Sequence, residues 1–251
     1  MGRADLHIHT IYSWDGTMTP RAVLKAAVRA GFDVIAITDH DELQGSLEAR
    51  DLAPNYGIEV ITGSEITTRE GHLLALFITE RIPSKLSLIE TLVRIGDQGG
   101  LAIAAHPEAR GTKSINRTSI WAAVNHPESK LVLAGIEVYN AGLPYRHRNH
   151  LNRKLAGPFH LAQVSNSDAH GIWGIGSAWT EFPGRTAQDL RSALLHCTTT
   201  AHGAPGFIAL SPITTWGVHT LLKRAGWVTS NLQPQLPLVL QRYIPPRTVV
   251  Q

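Results

Sequence analysis

Short apolar runs rich in β-branched residues alternate along this chain with segments of helical periodicity, and this alternation limits the possible folds. The pattern predicts eight strands, at residues 5–10, 33–39, 59–67, 72–78, 101–106, 133–140, 162–168 and 177–182. It predicts six helices, at residues 20–30, 46–55, 84–99, 117–125, 145–156 and 186–195. Alternating strands and helices favour a mainly parallel sheet, either open or closed into a barrel.

The chain divides by composition into two parts. Its 251 residues suffice for a single α/β barrel, and we assign residues 1–203 to one catalytic domain. Residues 204–251 contain six prolines, and only the stretch 214–224 has a helical pattern. This second part is therefore predicted to be a short, Pro-rich C-terminal appendage rather than another catalytic domain.

The positive charge of the chain lies in that appendage. Residues 204–251 carry four cations and no acidic residue, and removing four charges from the net +3 leaves the rest of the chain at −1. The sequence pI of 9.2 thus says little about the substrate of the first part. Binding of nucleic acid is not favoured on this basis.

Cysteine content and hydropathy indicate the compartment. The single cysteine, Cys197, cannot form an internal disulfide, and the first ten residues do not have the pattern of a secretion signal. No apolar stretch approaches the roughly 20 residues that a membrane-spanning helix needs. We therefore expect a cytoplasmic protein without a membrane partner.

Histidines and carboxylates recur where the predicted strands end. His7 and His9 alternate on the first strand, so both side chains face one side. Similar residues stand near the ends of most later strands, and the carboxyl ends of parallel strands are where α/β proteins build active sites. The set predicts a metal-binding site; it comprises His7, His9, His40, Glu65, His72, His106, Glu137, Asn140, Asp168 and His170.

Several segments together resemble, in order, the motifs of the PHP (polymerase and histidinol phosphatase) superfamily. The resemblance runs from Asp5 to about Gly203. It is carried by Asp5-Leu6-His7-Ile8-His9-Thr10, Ser13-Trp14-Asp15-Gly16, Ile37-Thr38-Asp39-His40-Asp41, Gly63-Ser64-Glu65, Gly71-His72, Ala105-His106-Pro107 and Asn166-Ser167-Asp168-Ala169-His170.

The resemblance implies a distorted seven-stranded β/α barrel with a centre of two or three divalent metal ions at its C-terminal face. One ion would bind His7, His9, Glu65 and Asp168; a second would bind Glu65, His72 and His106; a third would bind Asp15, His40 and His170. Glu65 is the natural bridge, because a carboxylate has two oxygens to share. Asp15 stands where some relatives have histidine. Zn, Mn and Fe all suit such mixed nitrogen and oxygen ligands.

A phosphate ester is the substrate class that this centre favours. Three divalent ions, three carboxylates and a bound hydroxide leave a charge of about +2, which attracts anions. The expected enzyme is a metal-dependent phosphoric ester hydrolase, acting on a phosphorylated small molecule or nucleotide by attack of a metal-bridging hydroxide. Glu65, Asp168 and His170 are its candidate catalytic residues, and the leaving-group acid is either His170 or a metal-bound water.

Three residues outside the ligand set are candidates for binding phosphate. Arg110 and Lys113 follow His106 on a loop, and arginine offers a bidentate donor pair to phosphate oxygens. Asn140 follows Glu137 near the end of its strand and could hydrogen-bond the substrate or a ligand, whereas Glu137 itself could be a polar residue of the barrel.

Three alternatives remain open. A nuclease or nucleotide phosphodiesterase of the same superfamily would use the same centre. An amidohydrolase-type C–N hydrolase also uses His-x-His on its first strand, although such sites commonly bridge their metals with a carboxylated lysine, where this chain has Glu65. A non-catalytic metal-binding module is disfavoured because every ligand position is filled.

Overall fold

The computed structural model describes residues 1–109, 113–129, 131–142, 145 and 149–203. It contains nine strands: β1 (Gly2–Asp5), β2 (Val34–Ile37), β3 (Glu59–Thr67), β4 (His72–Leu76), β5 (Leu101–Ala104), β6 (Leu133–Asn140), β7 (Ala162–Asn166), β8 (Ala178–Phe182) and β9 (Thr200–Gly203). Six α-helices accompany them in these ranges: α1 (Pro20–Arg29), α2 (Gln44–Leu52), α3 (Leu88–Asp97), α4 (Arg117–Asn125), α5 (Asn149–Phe159) and α6 (Ala187–Leu195).

The strands form one sheet that curls into a nearly closed barrel. Their order is β7-β6-β5-β4-β3-β2-β1-β8-β9. A parallel bridge between Ile8 and Ala169 joins the chain beyond β1 to the chain beyond β7. On the other side, Ser165 of β7 donates its backbone N–H to the Thr180 hydroxyl of β8 at 2.9 Å. These contacts bring the two ends of the sheet together.

The expectation of a barrel is confirmed, but its strand count and strand directions need correction. Nine strands are present, where the resemblance implied a seven-stranded barrel and the sequence pattern predicted eight strands. Strands β8 and β9 extend the sheet beyond β1, with β8 antiparallel to β1 and β9 antiparallel to β8. Strand β4 is also antiparallel to both of its neighbours. The prediction of a mainly parallel sheet was therefore wrong for half of the strand pairings. The connections from β3 to β4 and from β8 to β9 reverse the direction of the chain without a parallel crossover.

The first strand lies earlier in the sequence than expected. It ends at Asp5, because the backbone N–H groups of Leu6, His7 and Thr10 bond to side chains instead of a neighbouring strand, whereas His9 donates to the Ala169 carbonyl. Leu6 donates to the Asn166 side chain at 2.9 Å, and Thr10 donates to the Asp39 carboxylate at 2.5 Å. Residues 6–10 thus form an irregular extension of β1 at the mouth of the barrel.

Helix boundaries follow the capping signals of the sequence. The Thr19 side chain accepts a hydrogen bond from the Ala22 N–H and Pro20 begins α1. Ser87 and Glu90 form a reciprocal capping box at the start of α3, an arrangement that stabilises a helix by about 1 kcal/mol. None of the helices in the described ranges has the length and apolar character required to cross a membrane.

One end of the barrel is filled and covered. A buried apolar cluster collects side chains from each of β1 to β8 and from α6, among them Leu74, Ile103, Val164, Phe182 and Leu190. Helix α6 lies at the end where the parallel strands begin, since the Ala187 N–H donates to Glu59 at the start of β3. The opposite end, where the parallel strands finish, is left for polar side chains.

Candidate metal centre

The two histidines that follow β1 lie side by side in the mouth of the barrel. His7 and His9 are fully buried, and their ring centroids are 5.0 Å apart. Both Nε2 atoms lie 3.3 Å from Oδ1 of Asp168, which follows β7. The bridge between Ile8 and Ala169 fixes this approach of two chain segments. The geometry agrees with the prediction that the two imidazoles face one side.

Glu65, on β3, lies at the centre of the candidate ligands and is 1% exposed. Its Oε1 is 3.0 Å from His72 Nδ1 and 3.1 Å from His106 Nε2. Its Oε2 faces a different set of nitrogens, at 3.3 Å for His7 Nε2, 3.4 Å for His9 Nε2 and 3.0 Å for His40 Nδ1. A carboxylate with two oxygens directed at separate histidine sets could bridge two metal ions.

His72 reaches the centre because β4 runs antiparallel to β3, so its first residue lies at the same end as the other ligands. The preceding Gly71 has φ +143°, and a Cβ there would lie 2.4 Å from the Ile115 backbone nitrogen. Glycine therefore permits the close approach of this loop, in which the Lys113 carbonyl accepts a hydrogen bond from the His72 N–H at 2.9 Å.

His106 and Asp168 both have positive φ angles, +29° and +52°, which residues other than glycine rarely adopt. Such strain persists only where surrounding contacts enforce it, and it concentrates at functional sites. At His106 the backbone N–H donates to Glu137 at 2.7 Å, Nδ1 lies 3.0 Å from the Ser114 hydroxyl, and the Tyr145 ring stacks with centroids 4.0 Å apart.

Asp15, His40 and His170 form a second cluster on the loops above the barrel. Oδ2 of Asp15 lies 3.5 Å from His40 Nε2 and 3.0 Å from His170 Nε2. The loop that carries Asp15 turns tightly, since a Cβ at Gly16 would lie 1.9 Å from the Thr10 carbonyl oxygen. Only glycine allows this turn, which directs Asp15 back toward the histidines.

A serine and a buried aspartate support these ligands. The Ser13 hydroxyl donates to Asp15 Oδ1 at 2.9 Å, accepts from the His40 N–H at 3.2 Å and lies 3.3 Å from His9 Nδ1. Asp39 accepts hydrogen bonds from the backbone N–H and hydroxyl of Thr10 at 2.5 and 2.7 Å. Both carboxylate oxygens of Asp39 are thus engaged by Thr10, which favours a role in positioning the neighbouring ligands over binding of metal.

The nine predicted ligands differ in depth. An inner group is no more than 6% exposed; it comprises His7, His9, Glu65, His106 and Asp168. An outer group has side chains that are 10–14% exposed; it comprises Asp15, His40, His72 and His170. The inner group lies among the strand ends, whereas three of the four outer residues stand on loops.

Electrostatic surroundings separate the histidines. Burial lowers the pKa of His9 to about 3, and the neighbouring His170 and His40 reinforce this effect because like charges repel. Burial also opposes charge on His40, but the carboxylates of Glu65 and Asp15 outweigh it and raise its pKa to about 11. Despite burial, surrounding histidines hold the pKa of Glu65 and Asp168 well below the usual range.

The arrangement fits divalent metal ions. Four sets of ligand atoms each lie within 4.8 Å of one another: His7, His9 and Asp168; His7, Glu65 and His106; His40, Glu65 and His72; and His9, Asp15, His40 and His170. Buried nitrogens without a hydrogen-bond partner among the described residues point into these sets, namely His7 Nε2, His9 Nε2 and His72 Nδ1. Uncompensated buried nitrogens are costly unless they bind something, and a metal ion is the partner that histidine commonly takes.

The three residues predicted to bind phosphate have different outcomes. Arg110 lies outside the described residues. Lys113 is exposed near His72, where its carbonyl is engaged as described above. The Asn140 amide donates to Glu137 at 2.9 Å and to Asp168 at 3.2 Å, so both of its hydrogens bond within the protein. This use of the amide favours a role in holding Asp168 over contact with phosphate.

Sequence reasoning missed several supporting residues. Glu137 was counted among the strand-end residues but given no role beyond that of a polar residue of the barrel, yet it contacts two candidate ligands. Ser13 and Ser114 were not singled out, although a serine within a few residues of a ligand is a local signal that could have suggested them. The stacking of Tyr145 on His106 joins positions 39 residues apart, and no sequence pattern indicates it.

Comparison with known proteins agrees with this geometry. The family model for the PHP domain matches residues 5–155, and the model for the PHP-associated region matches residues 146–199. An uncharacterized protein of Methanocaldococcus jannaschii is 43% identical over 149 residues, which are 55% of this chain and 82% of that protein.

Two further proteins are similar to parts of this chain. A 5′-3′ exoribonuclease of Haemophilus influenzae is 33% identical over 111 residues, covering 43% of this chain and 40% of that enzyme. The fold matches a two-domain protein from Bacteroides vulgatus described as containing a predicted PHP-like metal-dependent phosphoesterase. The TM-score is 0.63 at 24% identity, over 80% of this chain and 64% of the other.

Proposed function

This chain belongs to the PHP domain family, and we propose that it is a phosphoesterase that hydrolyses a phosphate monoester of a small molecule or nucleotide. Two or three divalent ions, Zn, Mn or Fe, would be held by the inner and outer groups. The observation that carries the proposal is the placement of Glu65, whose two oxygens face different sets of histidines. Such ions, when bound, activate water near neutral pH and neutralise charge on phosphate oxygens.

The chain's own residues contribute position and charge. Glu65 would keep two ions at a fixed separation, because its carboxylate is buried and contacted on both oxygens. Asp168 is held by the Asn140 amide, which keeps its Oδ1 directed at His7 and His9. His170 is 14% exposed and lies 3.0 Å from Asp15 at the open side of the centre, where a leaving group would depart. A proton shared by this pair is available there only while no third ion is bound, since both side chains would otherwise bind that ion.

The position of Trp14 supports a nucleotide as the substrate. This residue precedes Asp15, is 50% exposed, and its ring lies nearly parallel to His40, with an interplanar angle of 17°. An exposed aromatic face beside a phosphate site can stack on a base, which contributes about 1–3 kcal/mol per base. Replacing Trp14 with alanine should raise KM for nucleoside monophosphates and leave KM for a sugar phosphate unchanged.

A phosphodiesterase is the second candidate, favoured by the similarity to the exoribonuclease. The two are separated by assaying protein purified without chelator on phosphomonoesters, nucleotide bisphosphates and short oligonucleotides. Metal analysis of the same sample should give at least two ions per chain with saturating Mn or Zn. Fewer than two ions would contradict the metal centre, and cleavage of oligonucleotides without release of phosphate from monoesters would replace the monoesterase with a diesterase.

The proposed function also divides the chain into a catalytic domain and an extension. We assign the catalytic domain to residues 1–203 and treat residues 204–251, which lie outside the described residues, as an extension that catalysis does not require. Cutting the chain near Gly203 should leave turnover unchanged. A loss of turnover in the shortened, folded protein would place the extension in the active unit.

A further inference from the structure

Glu137, on β6, is a buried carboxylate on which four hydrogen bonds converge. It is 0% exposed. Its Oε1 lies 2.8 Å from Asn166 Nδ2 and 3.0 Å from His7 Nδ1. Its Oε2 accepts from the His106 backbone N–H at 2.7 Å and from Asn140 Nδ2 at 2.9 Å. No other carboxylate among the described residues reaches both His7 and the backbone of His106 in this way.

Three of these four partners can only donate. A backbone N–H is always a donor. The amide orientation of Asn140 is fixed because its Oδ1 accepts from the Gly142 N–H at 2.8 Å, and that of Asn166 is fixed because its Oδ1 accepts from the Leu6 N–H at 2.9 Å. Both amides must therefore turn their NH₂ groups to Glu137, which makes this position suitable for an ionised carboxylate, an acceptor on both oxygens.

The fourth partner, His7, must then donate as well. An acceptor-only carboxylate 3.0 Å from Nδ1 requires a hydrogen on that nitrogen, which leaves Nε2 of a neutral ring with its lone pair. That Nε2 is buried, has no hydrogen-bond partner among the described residues, and lies 3.3 Å from both Glu65 Oε2 and Asp168 Oδ1. Glu137 thus selects the form of His7 that presents a free lone pair to the centre.

We infer that Glu137 is a positioning residue that sets the metal affinity of the centre through His7, His106 and Asp168. It fixes the ring of His7, holds the strained backbone of His106, and restrains Asp168 through Asn140. A carboxylate behind a histidine ligand also increases the basicity of the ligating nitrogen. This inference rests on the proposed metal centre but adds a residue that contacts neither metal nor substrate.

The test is the affinity of Glu137→Gln for Zn²⁺, measured by competition with a fluorescent chelator. A glutamine of the same size must direct its NH₂ group at two donors, so half of the hydrogen bonds are lost. We expect affinity to fall about 10- to 100-fold. The matched control is Thr180→Val, which removes two buried hydrogen bonds between the Thr180 hydroxyl and the Ser165 backbone but no contact to a candidate ligand, and which should lower stability without changing affinity.

A spectroscopic measurement on the unmodified protein covers the case in which Glu137→Gln does not fold. Histidine ¹⁵N spectra of the Zn²⁺-loaded protein should show a protected proton on His7 Nδ1 and a ligated Nε2. Ligation through Nδ1, or wild-type affinity in Glu137→Gln, would overturn the inference and leave the metal centre intact. Failure of the wild-type protein to bind Zn²⁺ would overturn the proposed centre and this inference with it.

Discussion

The inner and outer groups of candidate ligands use similar side chains but are supported differently. Inner residues are held by partners on buried strands, as Glu137 holds His7 and Asn140 holds Asp168. Outer residues contact one another, as Asp15 pairs with His170, and are otherwise held by Glu65 and by the hydroxyl of Ser13 on a loop. Because barrel strands are more rigid than loops, the inner group should keep its geometry without metal, whereas the outer group should depend on the ion that it binds.

The largest expected effect is at Glu65, which joins the two groups. Glu65→Gln keeps the shape of the side chain but removes the charge that both histidine sets face. We expect the metal content to fall by two ions per chain and turnover of the best phosphomonoester to fall about a thousandfold or more. Elemental analysis and steady-state kinetics measure the two effects.

A control on the same strand makes this result specific. Glu59→Gln introduces the same change at the opposite end of β3, where Glu59 accepts a hydrogen bond from the Ala187 N–H. It should retain both metal and turnover. Full metal content in Glu65→Gln would show that the two histidine sets bind ions independently of this carboxylate.

Asp15→Asn tests whether the outer group can be emptied alone. Asp15 is the only carboxylate of the outer group, so its loss should remove the ion predicted to bind Asp15, His40 and His170, called the outer ion below. The inner ions should stay bound. Turnover should fall on the order of 10- to 100-fold, because charge stabilisation is reduced but the attacking water is still activated. Asp51→Asn, at an exposed position on α2, is the control. Loss of every ion in Asp15→Asn would contradict the division into two groups.

The raised pKa of His40 predicts that binding of the outer ion depends on pH. With its pKa raised to about 11, His40 is protonated at neutral pH in the metal-free protein and must lose that proton to bind an ion. Affinity for the outer ion should therefore rise at least about tenfold per pH unit between pH 6 and 9, since Asp15 and Asp168 also outweigh burial and raise the pKa of His170.

In the inner group, His9, with its pKa lowered to about 3, is already neutral and adds no proton. The carboxylates of Asp168, Glu65 and Glu137, by contrast, outweigh burial and raise the pKa of His7 well above its ordinary value. His7 must therefore lose a proton to bind.

Calorimetric titration in two buffers of different ionisation enthalpy counts the released protons. His196→Gln, which changes an exposed histidine at the end of α6, should leave the count unchanged. If the affinity for the outer ion does not change between pH 6 and 9, His40 is neutral before metal binds. That result would contradict the prediction that His40 loses a proton on binding.

The ligands of both groups, but few of the residues that support them, could be predicted from the sequence. Eight of the nine candidate ligands stand near strand ends, so local pattern suffices to suggest them, whereas Asp15 stands on a loop and was named only through the family resemblance. Most of the residues that hold these ligands in place could not be predicted from local pattern, because they are distant in the sequence. Glu137 serves His7 across 130 positions, and the early end of β1 depends on Asn166, 160 positions away from Leu6. Strand β9 was missed because four residues, two of them small, carry too little alternation to predict a strand.

The smallest expected effect is at Ser13, which connects the groups. Its hydroxyl contacts Asp15 and the His40 N–H in the outer group and lies 3.3 Å from His9 Nδ1 in the inner group. Ser13→Ala should lower the free energy of unfolding by about 1 kcal/mol and weaken only the outer ion, since His9 is also held by the backbone bond from its N–H to Ala169.

Ser46→Ala is the matched control, because Ser46 is also buried and its hydroxyl makes two hydrogen bonds away from the ligands, to the Leu43 carbonyl and from the Gly63 N–H. It should cost similar stability without changing metal affinity, as chemical denaturation and chelator competition would show. If Ser13→Ala weakens the inner and outer ions equally, the hydroxyl couples the groups, and the loops above the barrel control the whole centre rather than its exposed side.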